Sequence, residues 1–326
     1  MNKDPILVVA GEPNSVFSEI LIKSFKFFKK KNPIILFISH KLLIKQLKIL
    51  NYKTNFNFLS LKDEKQIKLK YNKLNIVDVR YKFKRPFEKA SIKSNDYINK
   101  CFKEAINFTK KNKIAGLING PINKNYFLKD KYFGVTEFLA EKLDIKQNKF
   151  AMLIYNSKFS VSPITTHLPI KYVSKNLNKS VIEKKVILIN NFYEKYFSKK
   201  PKIAVTGLNP HCENFLSKSE EKDIIIPAVK NLRKKKIHIY GPYPADTIFL
   251  KDQLKKFNVI IGMYHDQVLT PIKAIHGFEA INITLGLPFL RISPDHGPNE
   301  KMIAKNKSNF KSLLFAFNFL SKLKWE

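Results

Sequence analysis

Short apolar runs alternate along the chain with longer runs in which apolar residues recur every three or four positions. The short runs are rich in Ile and Val and predict buried strands, whereas the longer runs predict amphipathic helices. Helices are predicted to begin near Ser18, Asp96, Lys179, Glu220 and Asn309. The predicted strands cover residues 6–10, 33–39, 75–79, 113–119, 150–155, 159–166, 202–208, 236–241, 259–264 and 280–286. This alternation predicts an α/β fold with a largely parallel sheet.

The length of 326 residues predicts two domains, because single cores usually stop growing below this size. No internal repeat and no Gly/Ser linker marks a boundary, and the charged segment 80–96 is interpreted as a surface loop. The N-terminal apolar run is short and is predicted to be a core strand, not a signal peptide. No apolar run approaches the roughly 20 residues of a membrane span.

The two cysteines suggest a protein of the reducing cytoplasm. Cys101 and Cys212 offer neither the spacing of a zinc site nor a disulfide framework. Cys101 falls in a helical pattern, which predicts that it is buried. The expected localisation is therefore cytoplasmic, with no membrane association.

The formal net charge of +34 raises the possibility of nucleic-acid binding. Only four of the 60 basic residues are arginines, and the lysines are spread over all the predicted helices. Nucleic-acid sites usually use Arg for bidentate contacts, and no motif of a known binding module is present. The charge therefore favours no specific nucleic-acid partner, although weak binding to anionic polymers remains compatible with it.

Polar residues gather where predicted strands end. His167, His211 and His265 each follow such a strand, as does Asp246. Because parallel strands share one carboxyl edge, the loops after them are expected to lie together. Three imidazoles with an open position form a common catalytic metal site, but three solvated loop histidines are equally compatible with the sequence. The glycines form neither a dinucleotide fingerprint nor a P-loop.

Two further residues suggest an anion site. Arg291 is one of only four arginines and follows Gly-Leu-Pro, which suits bidentate contact with a phosphate or carboxylate. A surface ion pair is the alternative for Arg291. Thr136 can cap a helix whose N-terminus would favour an anion, although capping by itself needs no ligand.

Taken together and in order, the motifs resemble the 4-hydroxythreonine-4-phosphate dehydrogenase family of pyridoxal phosphate biosynthesis. They run from residue 11 to about residue 297 and read GEP, GPINK, GVTEFLA, TTHLP, GLNPH, GPYPADT, MYHDQ and INITLGLPFLR. The family's fold is similar to that of isocitrate and isopropylmalate dehydrogenases, with mostly parallel sheets and a cleft between two domains. The resemblance implies a cofactor-side domain of residues 1–127 and 285–326. It also implies a second domain of residues 128–284 with the metal site and the dimer interface.

The resemblance also implies the functional residues. A divalent ion (Zn, Mg or Co) would bind His167, His211 and His265 in a homodimer with a shared active site. The small phosphorylated substrate would contact Thr136, Lys273, Asn282 and Arg291, and NAD or NADP would contact Gly286, Leu287, Pro288, His296 and Gly297. Asp246 and Asp266 are candidates for orienting the histidines or for proton transfer.

The implied reaction oxidises 4-phosphooxy-L-threonine to 2-amino-3-oxo-4-phosphooxybutanoate, which loses carbon dioxide to give 3-amino-2-oxopropyl phosphate. Two alternatives remain: a dehydrogenase of another 4-phosphorylated hydroxy acid, such as threonate or erythronate 4-phosphate, and a non-catalytic basic protein that binds anions or nucleic acid. They remain because the chain departs from the family in its first loop, in the Asp-His-Gly-Pro-Asn loop at 295–299, and at Val135, where the family has a histidine.

Overall fold

The chain forms two compact units in a computed structural model that describes residues 3–29, 31–61, 67–128, 132, 134–146, 149–212, 218–277, 280–294 and 297–323. One unit contains Met1–Val135 with Pro288–Leu323, and the other contains Thr136–Leu287. The first unit is therefore built from two separate stretches of the chain.

The described strands are short, and all except the edge strands β3 and β9 are mostly buried. Their bounds are β1 Ile6–Val9, β2 Ile34–Ile38, β3 Phe56–Phe58, β4 Leu74–Asp78, β5 Gly116–Asn119, β6 Ala151–Tyr155, β7 Ser160–Pro163, β8 Ile203–Thr206, β9 Ile239–Tyr243, β10 Val259–Gly262, β11 Ile281–Leu285 and β12 Arg291–Pro294. In the first unit the strand order is β3-β4-β2-β1-β5-β12, and all neighbours pair in parallel. In the second unit the order is β11-β6-β7-β10-β8-β9.

The helices alternate with these strands. Their bounds are α1 Phe17–Phe27, α2 His40–Ile49, α3 Asn95–Lys111, α4 Lys124–Phe127, α5 Val135–Lys142, α6 Val173–Asn176, α7 Lys179–Phe197, α8 Ile226–Lys234, α9 Lys251–Leu254, α10 His265–His276 and α11 Lys311–Lys322. The predicted α/β architecture with mostly parallel strands is thus confirmed. No helix within the described ranges is long and apolar enough to cross a membrane.

Several local predictions need correction or extension. The strands β3 and β12 were not predicted, because β3 has only three residues and β12 includes a charged and a proline residue. The segment 80–96 contains no strand, but it ends in a 3₁₀ turn (Ile92–Ser94) and the first residues of α3. Thr136 lies inside the first turn of α5, so its predicted position as the cap is wrong.

Cys101 lies on α3 and is fully buried, as its apolar surroundings in the sequence predicted. This burial raises the pKa of the Cys101 thiol well above its usual range, because the thiolate would lose its hydration. The residue therefore behaves as an apolar filler and not as a reactive thiol.

Candidate functional site

The polar loops of the second unit share one sheet edge. The strands β7, β10, β8 and β9 are consecutive neighbours and pair in parallel. His167 follows β7, His265 follows β10, His211 follows β8 and Asp246 follows β9. All four loops therefore leave the sheet at the same edge, as the sequence predicted.

The loops that carry His167 and His265 are joined by their backbones. The amide of Thr165 donates to the carbonyl oxygen of Met263 at 3.0 Å, and the Thr165 hydroxyl donates to the same oxygen at 2.7 Å. Each histidine lies two residues beyond this junction. Their ring centroids are 5.5 Å apart, so the fold brings these two imidazoles side by side.

Gln267 holds this edge together from inside α10. Its side-chain oxygen accepts hydrogen bonds from the Thr206 hydroxyl at 2.9 Å and from the Met263 amide at 2.7 Å. Its side-chain nitrogen donates to the carbonyl oxygen of Gly207 at 2.8 Å. The buried amide thereby links the ends of β8 and β10, a role that the sequence did not reveal.

His265 is the first residue of α10 and contacts a carboxylate. Its Nδ1 lies 2.6 Å from Oδ1 of Asp266, and its side chain is 32% exposed. When the proton is on Nδ1, it is donated to Asp266 and the Nε2 lone pair is left for a ligand.

The third histidine stands apart on a strained turn. His211 has φ 56°, in the left-handed region that few residues other than glycine adopt, and its side chain is 66% exposed. Its Nδ1 is 3.9 Å from Oδ2 of Asp246, which is also exposed. The loop before it is anchored by buried Glu221, whose Oε1 accepts the amides of Leu208 and Asn209, each at 2.8 Å.

A divalent ion fits part of this arrangement. The neighbouring imidazoles of His167 and His265 provide two nitrogen ligands of the kind that zinc and cobalt prefer. Nδ1 of His167 is buried and has no hydrogen-bond partner among the described atoms. Within the described ranges, however, no three His, Cys, Asp or Glu side chains converge to hold a metal, so His211 is not brought into one group with the other two.

The predicted substrate residues of this unit occupy three elements. Thr136 on α5 is buried, and its hydroxyl is 3.2 Å from that of Thr284 on β11. Asn282, also on β11, has a buried side-chain oxygen without a hydrogen-bond partner among the described residues. Lys273 lies on α10, two turns beyond His265, and is exposed.

Arg291 belongs to the first unit and is only 2% exposed. Its Nε donates to Oδ1 of Asn119 at the end of β5, at 2.8 Å. The alternative of a surface ion pair is therefore wrong, because the guanidinium is buried.

The predicted cofactor residues fall into two groups. Gly286 has φ 91°, and a Cβ at this position would lie 2.2 Å from the carbonyl oxygen of Lys149, so the turn requires glycine. Leu287 and Pro288 follow it at least partly exposed. Gly297 lines a cavity of about 310 Å³ together with residues 122–125 and 298–300, all in the first unit. His296 lies outside the described residues.

A buried carboxyl group in the first loop was not predicted as a functional residue. Glu12 is 1% exposed, and its Oε1 accepts the Asn14 amide at 3.1 Å and the Ser94 hydroxyl at 2.9 Å. Its Oε2 is buried without a partner among the described residues. Burial raises the pKa of Glu12, the two hydrogen bonds oppose this effect, and Glu300 adds to it by charge repulsion. The Gly-Glu-Pro motif contains a charged residue and does not predict that Glu12 is buried.

The altered loops of the first unit touch each other. The amide of Val16 donates to the carbonyl oxygen of Pro298 at 3.2 Å. The two segments in which the chain departs from the family pattern, 11–19 and 297–299, are therefore in direct contact.

Known proteins are similar to this chain over nearly its whole length. Residues 29–320 match the family of the pyridoxal phosphate biosynthetic protein PdxA. A 4-hydroxythreonine-4-phosphate dehydrogenase of Sulfurihydrogenibium sp. (strain YO3AOP1) is 36% identical over 325 residues, which cover 98% of each chain. A D-threonate 4-phosphate dehydrogenase of Salmonella typhimurium is 26% identical over 328 residues, which cover 99% of this chain and 100% of that protein.

Solved structures show the same fold. A 4-hydroxythreonine-4-phosphate dehydrogenase from Klebsiella pneumoniae matches with a TM-score of 0.83 and 27% identity over 98% of both chains. An isocitrate dehydrogenase from Methylococcus capsulatus matches with a TM-score of 0.50 and 9% identity over 98% of this chain and 84% of that one, which shows a similarity of fold alone. Both the family and the dehydrogenase fold that the motifs implied are thereby confirmed, and the chain belongs to the PdxA family.

Proposed function

We propose that this protein is a 4-hydroxythreonine-4-phosphate dehydrogenase of pyridoxal phosphate biosynthesis. It oxidises 4-phosphooxy-L-threonine with NAD or NADP, and the product, 2-amino-3-oxo-4-phosphooxybutanoate, decarboxylates to 3-amino-2-oxopropyl phosphate. The family match over residues 29–320 carries this proposal. The paired imidazoles at the carboxyl edge of a parallel sheet support it independently.

In this proposal a divalent ion (Zn, Mg or Co) binds His167 and His265, and His211 is the third ligand. Bound there, the ion supplies Lewis-acid polarisation of the substrate hydroxyl. Asp266 orients His265 by accepting the proton of Nδ1, and Asp246 is placed to do the same for His211. Either carboxylate is also a candidate acceptor for the proton that leaves the hydroxyl.

The substrate is anionic, and cationic or polar groups are proposed to hold it. The exposed ammonium of Lys273 offers charge on the same helix as His265. Asn282 offers a buried amide whose oxygen has no partner among the described residues. Thr136 and Arg291 complete the proposed set, and Arg291 is suited to a phosphate or carboxylate because its guanidinium donates in a planar fork.

The nicotinamide cofactor is proposed to contact Gly286, Leu287, Pro288, His296 and Gly297. Gly297 lines the cavity next to Asn123 and Lys124, which is lined mostly by polar and charged residues. A homodimer with a shared site is also proposed, and light scattering of the purified protein tests it directly.

The decisive assay mixes purified protein with 4-phosphooxy-L-threonine, each dinucleotide, and Mg²⁺, Zn²⁺ or Co²⁺ in turn. We expect reduction of the dinucleotide that requires the metal and stops when a chelator is added. His265→Ala is expected to lower kcat/KM by at least about 100-fold, because it removes a metal ligand itself and not merely an outer partner.

His238→Ala is the matched control, since His238 is exposed on the same unit. Among the described residues its one hydrogen bond is made by its backbone carbonyl, which accepts from the Ile203 amide. No turnover with any metal would overturn the proposed activity. Faster turnover of D-threonate 4-phosphate would instead support the alternative substrate, which is less favoured because the relative of that name is less similar.

A further inference from the structure

Lys185 is the one lysine that is buried among the described residues, in a chain whose other described lysines reach solvent. It lies on α7 between the core residues Ile182, Val186 and Ile189 and is 6% exposed. Burial lowers the pKa of Lys185 to about 8, and the attraction of the Glu137 carboxylate partly opposes this shift. A buried ammonium is costly unless partners compensate it, so its partners indicate its role.

The first partner is the loop that carries His167. Nζ of Lys185 donates to the carbonyl oxygen of Ile164 at 2.6 Å. Ile164 directly precedes Thr165, Thr166 and His167, and its amide bonds to the carbonyl oxygen of Gly262 beside the other histidine loop. The ammonium therefore fixes the backbone from which His167 projects.

Glu137, whose charge attracts the Lys185 ammonium, lies in the first turn of α5, and its side chain is 13% exposed. Its Oε1 is 3.8 Å from Nδ1 of His167 and 3.5 Å from the Thr166 hydroxyl. Nδ1 of His167 has no hydrogen-bond partner among the described atoms, and Glu137 is the carboxylate that faces it. Contacts of this kind shorten when a ligand fixes the ring.

The same pattern occurs at the neighbouring histidine, where Asp266 contacts Nδ1 of His265. A histidine that binds a metal usually gives its other ring N–H to a carboxylate, which fixes the tautomer and makes the ring more basic. Glu137 is placed to do this for His167.

We propose that Glu137 and Lys185 are positioning residues for His167: Glu137 accepts the Nδ1 proton so that the Nε2 lone pair is left for the metal, and Lys185 holds the Ile164 carbonyl and with it the backbone from which His167 projects. This inference rests on the proposed metal-dependent function. It concerns the affinity for the metal, which is measurable without turnover.

The test measures binding of Co²⁺ alone by its visible absorption and by calorimetry. Lys185→Met removes the donor to the Ile164 carbonyl, and it is expected to weaken Co²⁺ binding by about 10- to 100-fold. Glu137→Gln is expected to weaken it to a similar extent.

Lys184→Met is the matched control, since Lys184 is the exposed neighbour on α7 and its substitution should leave the Co²⁺ affinity unchanged. Thermal unfolding without metal is recorded for every variant. Wild-type Co²⁺ affinity in Lys185→Met, whatever its Tm, would show a purely structural lysine and overturn the proposal.

If the Lys185 variant does not fold, the Co²⁺ affinity of Glu137→Gln tests the proposal. Wild-type Co²⁺ affinity in Glu137→Gln would overturn it. If the wild-type protein oxidises the substrate and the variants still bind Co²⁺ with wild-type affinity, this inference is refuted and the proposed function is not. A wild-type protein that binds no Co²⁺, Zn²⁺ or Mg²⁺ would refute the metal-dependent function and this inference with it.

Discussion

Individual side chains in this protein derive their chemistry from burial. Glu12, Lys185 and Arg291 are ionisable and are each less than a tenth exposed. The pKa of Glu12 is raised and that of Lys185 is lowered, in both cases chiefly because water is excluded from the charged form.

The raised pKa of Glu12 predicts a pH-dependent stability. The folded protein binds this proton more tightly than the unfolded chain does, so the resulting stabilisation is complete below the ordinary glutamate pKa and is lost as the pH rises through the folded-state pKa. Glu12→Gln removes this loss. We therefore expect the free energy of unfolding of the variant to rise relative to that of the wild type as the pH increases above the ordinary glutamate pKa of about 4, as measured by urea denaturation.

Glu88, in the same unit, is a control whose pKa is shifted in the opposite direction. Hydrogen bonds from the amides of Arg85 and Lys84 lower the pKa of Glu88, so Glu88→Gln should lose free energy of unfolding relative to the wild type as the pH rises. The same pH trend in both variants would contradict the assignment for Glu12.

At the scale of elements, the ends of parallel strands are joined by side chains from the following helices. Gln267 on α10 joins the ends of β8 and β10, and Glu221 holds the loop between β8 and His211. These two residues keep the histidine loops in place without facing a ligand themselves. Neither was recognisable in the sequence, since a Gln or Glu near the start of a helix is usually solvated.

Replacing Gln267 should destabilise the fold strongly. Gln267→Met keeps the volume but leaves the Thr206 hydroxyl, the Met263 amide and the Gly207 carbonyl without their partner. At about 1–3 kcal/mol for each buried unsatisfied group, we expect a loss of about 3 kcal/mol or more in the free energy of unfolding.

Gln253→Met is the matched control for this substitution, because the side-chain oxygen of Gln253 has one hydrogen bond within the described part of the chain, which it accepts from Nζ of Lys256 at the surface. It should change the free energy of unfolding by less than about 0.5 kcal/mol. Equal losses of free energy of unfolding in the two variants, measured by urea denaturation, would show that the hydrogen bonds of Gln267 do not stabilise the strand ends.

At the scale of the whole molecule, the net charge of +34 is spread widely. Each described helix of eight residues or more carries at least one lysine, and only Lys185 among the described lysines is buried. Such a distribution attracts polyanions weakly and without specificity. It accompanies the enzyme fold and does not by itself indicate a nucleic-acid function.

Binding to duplex DNA should therefore depend almost entirely on salt. We expect a mobility shift at about 20 mM salt that disappears at about 150 mM, because counterion release is the main driving force. A shift that persists at the higher concentration, or one that depends on DNA sequence, would favour the binding-protein alternative over the proposed enzyme.

The sequence by itself determined the alternation of strands and helices, because the hydrophobic periodicity differs between the two elements. It also determined that His167, His211 and His265 follow strands. Since those strands are parallel, their common edge followed without coordinates. The motif order was sufficient to identify the family.

Only the tertiary structure decided which of these residues are neighbours. His167 and His265 are adjacent because β10 pairs with β7 and because Thr165 bonds to Met263, about a hundred residues away in sequence. The burial of Lys185 next to the His167 loop likewise depends on how α7 packs. Contacts between distant segments are set by packing through space, which leaves no periodic or local signal in the sequence.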